Sequence, residues 1–258
     1  MKRVLVIGIG AGNPEHLTLQ AVDALNRVDV IFLMDKGAAK AKLIALREDI
    51  CRRHVTRPHR IVHADSPEWT RGTENYGATI DALNRDKGAL FERLIAEALQ
   101  DGESGAFLVW GDPALYDSTI RILETIAARG TVAFDYEVIP GISSVQALTA
   151  RHKIPLNRIG QSVAITTGRR LAEGWPDADT VVVMLDAQNT FQRYIGQDID
   201  IWWGAYVGTP DEIVIAGTLR DVADEIVRKR AAARQANGWI MDTYVMRRRA
   251  VAPETDED

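Results

Sequence analysis

Val4-Leu5-Val6-Ile7-Gly8-Ile9-Gly10-Ala11-Gly12-Asn13-Pro14 is the stretch on which the fold turns. Residues 3–9 form an apolar run ending in glycines, as a strand covered on both faces of a parallel sheet does. The basic start Met1-Lys2-Arg3 looks like the beginning of an export signal. However, Gly8, Gly10 and Gly12 break the run far short of the ~18 residues of a membrane span. A buried first strand is therefore the expectation. Beyond Pro14, residues 17–28 read as a helix with Leu17, Ala21, Ala24, Leu25 and Val28 on one face. Residues 30–34 read as a second buried strand that stops at Asp35.

The alternation continues outward. Residues 38–54 read as a charged helix, 79–99 as a long helix, 106–110 as a strand, 118–128 as a helix and 134–139 as a strand ending in Pro140-Gly141. Strand and helix taking turns predict a parallel sheet with helices on both faces. Residues 56–77 interrupt the pattern with Pro, His, Arg, Ser, Trp and Gly and read as a long functional loop. Then the character changes. A helix at 143–152 precedes strands near 163–167, 180–185, 199–206 and 212–216, a helix at 219–236 and a strand at 239–246. Strands with few helices between them predict a mixed sheet in a second lobe. The boundary falls near residues 112–118, giving an N-terminal α/β lobe 1–115, a C-terminal α/β lobe 116–252 and a disordered acidic tail 253–258.

Composition narrows the function. The 258 residues are 46% hydrophobic and carry a net charge of −5, so a large core is available and no cationic surplus invites a nucleic-acid partner. The single cysteine, Cys51, permits no internal disulfide or thiolate cluster, fits a reducing cytoplasm, and reads as a packed thiol. His16, His54, His59, His63 and His152 lack zinc-ligand spacing, so no metal is expected. Neither is a membrane partner.

Gly8-Ile9-Gly10-Ala11-Gly12 between a strand and a helix first suggests a dinucleotide turn, with Asp35 as the ribose-binding acid of a nicotinamide-dependent oxidoreductase. The fit is incomplete. The spacing is Gly-x-Gly-x-Gly, and Asn13-Pro14-Glu15 delays the helix, so its amides cannot sit directly against a pyrophosphate. Trp110-Gly111-Asp112-Pro113-Ala114-Leu115-Tyr116 hangs from a strand's carboxyl end, where open α/β sheets place ligands. Val138-Ile139-Pro140-Gly141-Ile142-Ser143-Ser144 is another such end, although Ser143 could serve simply as a helix cap. Three glycine-bearing strand ends from neighbouring strands would converge on one sheet edge, a stronger signal than any single motif.

These segments, in this order, resemble the tetrapyrrole (corrin/porphyrin) methylase family. Thr166-Thr167-Gly168, Thr180-Val181-Val182-Val183-Met184-Leu185 and Gly217-Thr218-Leu219 continue the likeness over nearly the whole chain. Within the family, residues 107–118, 165–173 and 201–213 look most like a branch that methylates precorrins in cobalamin biosynthesis. The resemblance implies a two-lobed fold, a parallel-sheet N-terminal lobe and a mixed-sheet C-terminal lobe, with the active site in the cleft between. It implies S-adenosylmethionine as methyl donor, S-adenosylhomocysteine as product, and a homodimer. By matching motifs, the cofactor contacts would be Gly111, Asp112, Leu115, Ser143, Ser144, Leu185, Tyr206, Val207 and Gly208, with Ala11 a further match. The glycine turn, through Gly10 and Gly12, would line the substrate trough, and Asp35 matches an acid that related uroporphyrinogen methylases present to substrate.

For that branch the resemblance implies methylation at ring carbon 1 of precorrin-5 and hydrolytic loss of an acetyl group extruded earlier. Methyl transfer from a sulfonium to a nucleophilic ring carbon needs alignment more than covalent help. Backbone carbonyls would stabilise the sulfonium. Candidates to handle the proton of the deacetylation are Asp35, Asp112, His63 and Asp65; Asp35 is preferred, its plain alternative an ion pair with Lys36 or Arg3. A substrate rich in carboxylates calls for arginines, and Arg60, Arg71, Arg169 and Arg170 are the candidates, each with a solvated surface role as the plain alternative. Lys229-Arg230 and Arg247-Arg248-Arg249 read as solvated charges. A non-catalytic tetrapyrrole-binding scaffold and another methylase of the same pathway stay open as alternatives.

Overall fold

The computed structural model describes residues 1–35, 41–67 and 76–249, and it divides into two compact units, Met1–Ser143 and Ser144–Asp258. The expected acidic tail at 253–258 and Arg71 lie outside the described residues.

In the first unit five strands form one sheet: β1 (Lys2–Gly8), β2 (Val30–Asp35), β3 (Arg60–Asp65), β4 (Ser104–Val109) and β5 (Phe134–Ile139), ordered β3-β2-β4-β1-β5 and all parallel. Successive side chains of a strand point to opposite faces, so an apolar run can bury both. Val4, Val6, Val30, Phe32, Phe107 and Val109 meet α3 (Tyr76–Ala98) and α4 (Thr119–Arg129) on one face. Leu5, Ile7, Ile31, Leu33, Ala106 and Leu108 meet α1 (Leu19–Leu25) and α2 (Ala41–His54) on the other. Phe107 anchors the first face, its ring stacked on Phe91 at 4.2 Å and tilted against Phe32 at 4.8 Å.

Two expectations are corrected here. Residues 56–77 are not one long loop, since β3 lies within them. It is an edge strand, and its polar alternation Arg60-Ile-Val-His-Ala-Asp65 follows from having one face largely exposed. A boundary at 115/116 would give β5 to the second lobe. Instead β5 pairs with β1 from Lys2↔Phe134 to Ile7↔Ile139, because α4 carries the chain back over the sheet, and the first unit runs to Ser143.

The second unit holds α5 (Ser144–His152), β6 (Val163–Thr167), α6 (Gly168–Leu171), β7 (Thr180–Met184), β8 (Ile199–Ala205), β9 (Ile213–Thr218), α7 (Leu219–Asn237) and β10 (Asp242–Arg248). The sheet runs β6-β7-β10-β8-β9, with β6 parallel to β7 and every other pair antiparallel. The mixed sheet is as expected. Val181, Val183, Ile201, Trp203, Tyr244 and Met246 pack against Phe191 and against Leu219, Ala223 and Ile226 of α7. Because β7 and β8 both run opposite to β10, the carboxyl ends of β6, β7 and β8 lie along one edge.

Candidate active site

The carboxyl ends of β4, β1 and β5 are neighbours in the first sheet, and each carries a glycine loop. Gly10 and Gly111 bridge the first two loops: the Gly111 amide donates to the Gly10 carbonyl at 2.8 Å, and the Gly10 amide returns a bond at 3.3 Å. The third loop is pressed against both. A Cβ on Gly141 would sit 2.2 Å from the Gly111 carbonyl oxygen and 2.9 Å from Gly8 Cα, so only glycine allows the strand ends to meet this closely. Asp112 ties the loops further. Its two carboxylate oxygens accept from the Ala114 amide at 2.8 Å and the Gly141 amide at 2.9 Å. The converging glycine loops foreseen in the sequence are thus one packed set of backbone. Gly10, Ala11, Gly12 and Ser143 are buried in it, with Leu115 half-buried. Tyr116 stands more exposed at φ +52°, and burial raises its phenol above the usual value. The helix is delayed as the sequence indicates: Asn13 caps a 3-10 turn at Pro14–His16, and Thr18 caps α1.

Asp35 ends β2 in register with Asp65, which ends β3, so both residues occupy the same sheet edge as the glycine loops. Arg60 does not. It opens β3 at the opposite, amino-terminal edge, where its guanidinium meets Glu103 at 2.6 Å and the Ala98 carbonyl at 3.1 Å. A six-residue strand is about 20 Å long, and that length separates Arg60 from these loops.

In the second unit the edge formed by β6, β7 and β8 ends in Thr167-Gly168, Leu185 and Tyr206. Thr167 caps α6, whose Arg169 and Arg170 are exposed, and Arg170 pairs with Glu173 at 2.6 Å. Leu185 adopts φ +55° while 65% exposed, and Tyr206 adopts φ +50°. For side chains other than glycine this left-handed geometry costs ~1–3 kcal/mol and persists only where surrounding contacts impose it. Tyr206 and Val207 bury their side chains, so they offer the edge their backbone.

Polar groups beneath this edge supply the constraint. Asp186, 5% exposed, accepts through its carboxylate from the Gln188 amide at 2.9 Å, the Thr190 amide at 2.6 Å, the Thr190 hydroxyl at 2.9 Å and the Tyr244 hydroxyl at 2.7 Å. Burial, then the negative charge of Asp186, pushes the Tyr244 phenol far above its usual range. Asp242 accepts from Trp203 Nε1 at 3.0 Å and from Arg230 Nε at 2.8 Å; burial raises its carboxyl and the guanidinium opposes that. His152 contacts the Trp203 carbonyl through Nε2 at 3.1 Å, and burial lowers its pKa.

The solvated reading of two arginines is corrected with them. Arg230 is 6% exposed, and Arg247, 8% exposed, lies over Trp202 and donates to Thr180 Oγ1 and to the carbonyls of Pro155 and Leu156. Arg47 is a further buried cation, donating to the Leu108 carbonyl at 3.3 Å near the end of β4; burial lowers its pKa, and Asp117 opposes this. Helical spacing was the available signal: Ile50 and Cys51 lie three and four residues after Arg47, and Ile226 and Ala233 flank Arg230 at the same intervals.

The loops of the first edge are themselves acidic. The loops at residues 8–14, 111–118 and 140–144 contain no Lys or Arg, whereas Asp112 and Asp117 lie within them. Carbonyl oxygens and carboxylates of these loops suit a cationic ligand, with Arg47 the buried cation near the end of β4. Among the described residues no group of three or more His, Cys, Asp or Glu side chains could hold a metal, and no helix is long and apolar enough to cross a membrane.

Residues 3–223 match the Tetrapyrrole (Corrin/Porphyrin) Methylases, and the chain belongs to that family. It is 52% identical over 252 residues to precorrin-6A synthase (deacetylating) of Sinorhizobium sp, which covers 97% of each chain. A cobalamin synthesis related protein (CobF) from Corynebacterium diphtheriae is 37% identical, with a TM-score of 0.81 over 96% of this chain and 98% of that one. The uroporphyrin-III C-methyl transferase from Thermus thermophilus, solved with S-adenyl homocysteine, is 19% identical with a TM-score of 0.58 over 95% of this chain and 91% of that one; at that distance the likeness is one of fold. Family membership sets aside the nicotinamide-dependent oxidoreductase that the first glycine turn suggested.

Proposed function

We propose that the chain is an S-adenosylmethionine-dependent C-methyltransferase of cobalamin biosynthesis, converting precorrin-5 to precorrin-6A with loss of the acetyl group. Identity of 52% across 97% of a precorrin-6A synthase supports the reaction. The observation that carries the cofactor is the meeting of three glycine loops at one sheet edge, loops that contain Asp112 and Asp117 and no Lys or Arg. When bound, S-adenosylmethionine supplies the methyl group as a sulfonium electrophile. In this reading Gly111, Asp112, Leu115, Ser143, Ser144, Leu185, Tyr206, Val207 and Gly208, with Ala11 a further match, hold and orient it. Carbonyl oxygens suit a positively charged sulfur, and burial of the loops excludes water. Gly10 and Gly12 border the tetrapyrrole, Arg169 and Arg170 meet its carboxylates, and Asp35 accepts a proton from the water that cleaves the acetyl group, which leaves as acetate. The enzyme works as a cytoplasmic homodimer.

Mass spectrometry of the product formed from precorrin-5 and a methyl-labelled donor tests the reaction. Gain of one labelled methyl with loss of one acetyl is expected; a methyl gained with the acetyl retained would assign the chain to another step. Calorimetry tests the cofactor, since S-adenosylhomocysteine should bind and NADP should not. The reverse result sinks the methyltransferase reading.

A further inference from the structure

Leu185 and Tyr206 end β7 and β8, and β10 lies between those strands. One side chain reaches the surroundings of both turns. From α7, Arg230 donates through Nη2 to the carbonyl of Asp186 at 2.6 Å, the residue directly after Leu185. The same guanidinium holds Asp242 through Nε at 2.8 Å and Nη2 at 3.3 Å. Asp242 begins β10 opposite Ala205, the residue before Tyr206, and takes the indole N–H of Trp203 from β8. The preceding residue, Met241, accepts the Tyr206 amide at 2.9 Å, and the Tyr206 hydroxyl donates to the Trp239 carbonyl, with the Ala233 carbonyl 3.3 Å away.

We infer that Arg230 is a positioning residue for cofactor binding, fixing the backbone of the Leu185 and Tyr206 turns together through Asp186 and Asp242. The inference rests on the reading of those turns as cofactor contacts. A planar fork with several donors suits the task, because it satisfies a carbonyl and a carboxylate at once. Lysine keeps the charge but offers one nitrogen where Arg230 uses both Nε and Nη2. The Asp186 carboxylate is the second half of the device: with four donors on it, including Tyr244, the turn after Leu185 has one arrangement available. Sites held by rotamer-locked supporting side chains lose affinity when that support slackens, even with every contact residue intact.

The test is calorimetry with S-adenosylhomocysteine on the folded wild type, Arg230→Lys, Tyr244→Phe and Arg220→Lys, joined to steady-state kinetics in S-adenosylmethionine. Arg220 lies on α7 too, but its exposed partner is Asp198, so Arg220→Lys should bind as the wild type does. Arg230→Lys should bind about tenfold more weakly, with KM for the methyl donor rising in step and kcat held within about twofold. A purely structural arginine would lower the melting temperature and leave the affinity of the folded fraction unchanged; that result overturns the inference. Should Arg230→Lys fail to fold, Tyr244→Phe decides, since it removes one hydroxyl and keeps the ring. A roughly threefold loss is expected, and an affinity equal to that of the wild type overturns the inference. Wild-type protein that binds no S-adenosylhomocysteine removes the cofactor reading itself, and this inference with it.

Discussion

The two sheets carry their strand-end turns by different means. In the first unit backbone packs on backbone: Gly8, Gly111 and Gly141 meet with no side chain between them, and Asp112 staples the loops from one side. In the second unit the turns at Leu185 and Tyr206 adopt left-handed geometry with ordinary side chains, and a buried set of Asp186, Arg230, Asp242 and Tyr244 holds them there. The first edge is rigid because nothing larger fits. The second is rigid because polar groups that would be expensive to leave unpaired have one joint solution. A backbone contact leaves a substitution nowhere to go, whereas a side-chain network can yield partially. The two edges should therefore fail differently.

The largest effect is expected at Gly141. In Gly141→Ala the new carbon would lie 2.2 Å from the Gly111 carbonyl oxygen, and the Gly8 backbone blocks retreat. Overpacking usually costs ~1–3 kcal/mol, and with backbone on both sides the upper end or beyond, about 3 kcal/mol, is expected. Thermal denaturation would show this as a fall of roughly 6–12 °C. Gly88→Ala is the contrast, because in α3 a Cβ would find only Ile122 Cγ2 at 4.0 Å. That helix position should gain about 0.5–1 kcal/mol. Equal melting temperatures for Gly141→Ala and wild type would mean that the loops are not packed as described.

A middle effect is expected at Gly168, where the second edge also uses close approach. A Cβ there would come 2.4 Å from Asp186 Oδ1, but the obstacle is a side chain and not a main chain. The Asp186 carboxylate can swing only at the expense of bonds to Thr190 and Tyr244, and its Cβ, 2.7 Å away, must shift with its own main chain; with one neighbour to move, Gly168→Ala should cost about 2 kcal/mol in urea denaturation, less than Gly141→Ala. An equal or greater cost would show that the network yields no more readily than backbone and would erase the distinction between the edges.

The same contrast explains how much could be read beforehand. Glycines announce the first edge, and strands β5 and β6 fall at residues 134–139 and 163–167, as their apolar patterns indicate. Neighbourhood is harder to read than strand existence: periodicity marks β5 as a strand but carries no sign that it returns to β1, which sets the end of the first unit at Ser143 and not at residue 115. β3 escaped because an edge strand with one exposed face lacks the continuous apolar run of its neighbours. At the second edge nothing local betrays Leu185 or Tyr206 as left-handed, since neither residue favours that geometry. Arg230 and Arg247 read as surface charges because charge is a cue to exposure, and only the tertiary partners Asp242 and Thr180 reverse it. Cys51 read correctly: buried at 2%, its thiol is pushed up to about 11, chiefly by burial and then by Glu48.

The smallest effect has the opposite sign and isolates the strain itself. Leu185→Gly removes a side chain that is 65% exposed, so little apolar burial is lost, and it relieves φ +55°. Left-handed geometry costs an L-residue about 1–2 kcal/mol, while the freer unfolded glycine returns about 0.5–1 kcal/mol of that. A net gain of roughly 0.5–1 kcal/mol is the expected outcome, seen as a rise of ~1–4 °C in melting temperature. Because the network beneath is untouched, the turn should keep its path, and any fall in affinity for S-adenosylhomocysteine would report the lost leucine side chain. A variant less stable than wild type would mean that the leucine stabilises the turn directly and that its geometry is not imposed from below. The second edge would then resemble the first, each held by its own local chain.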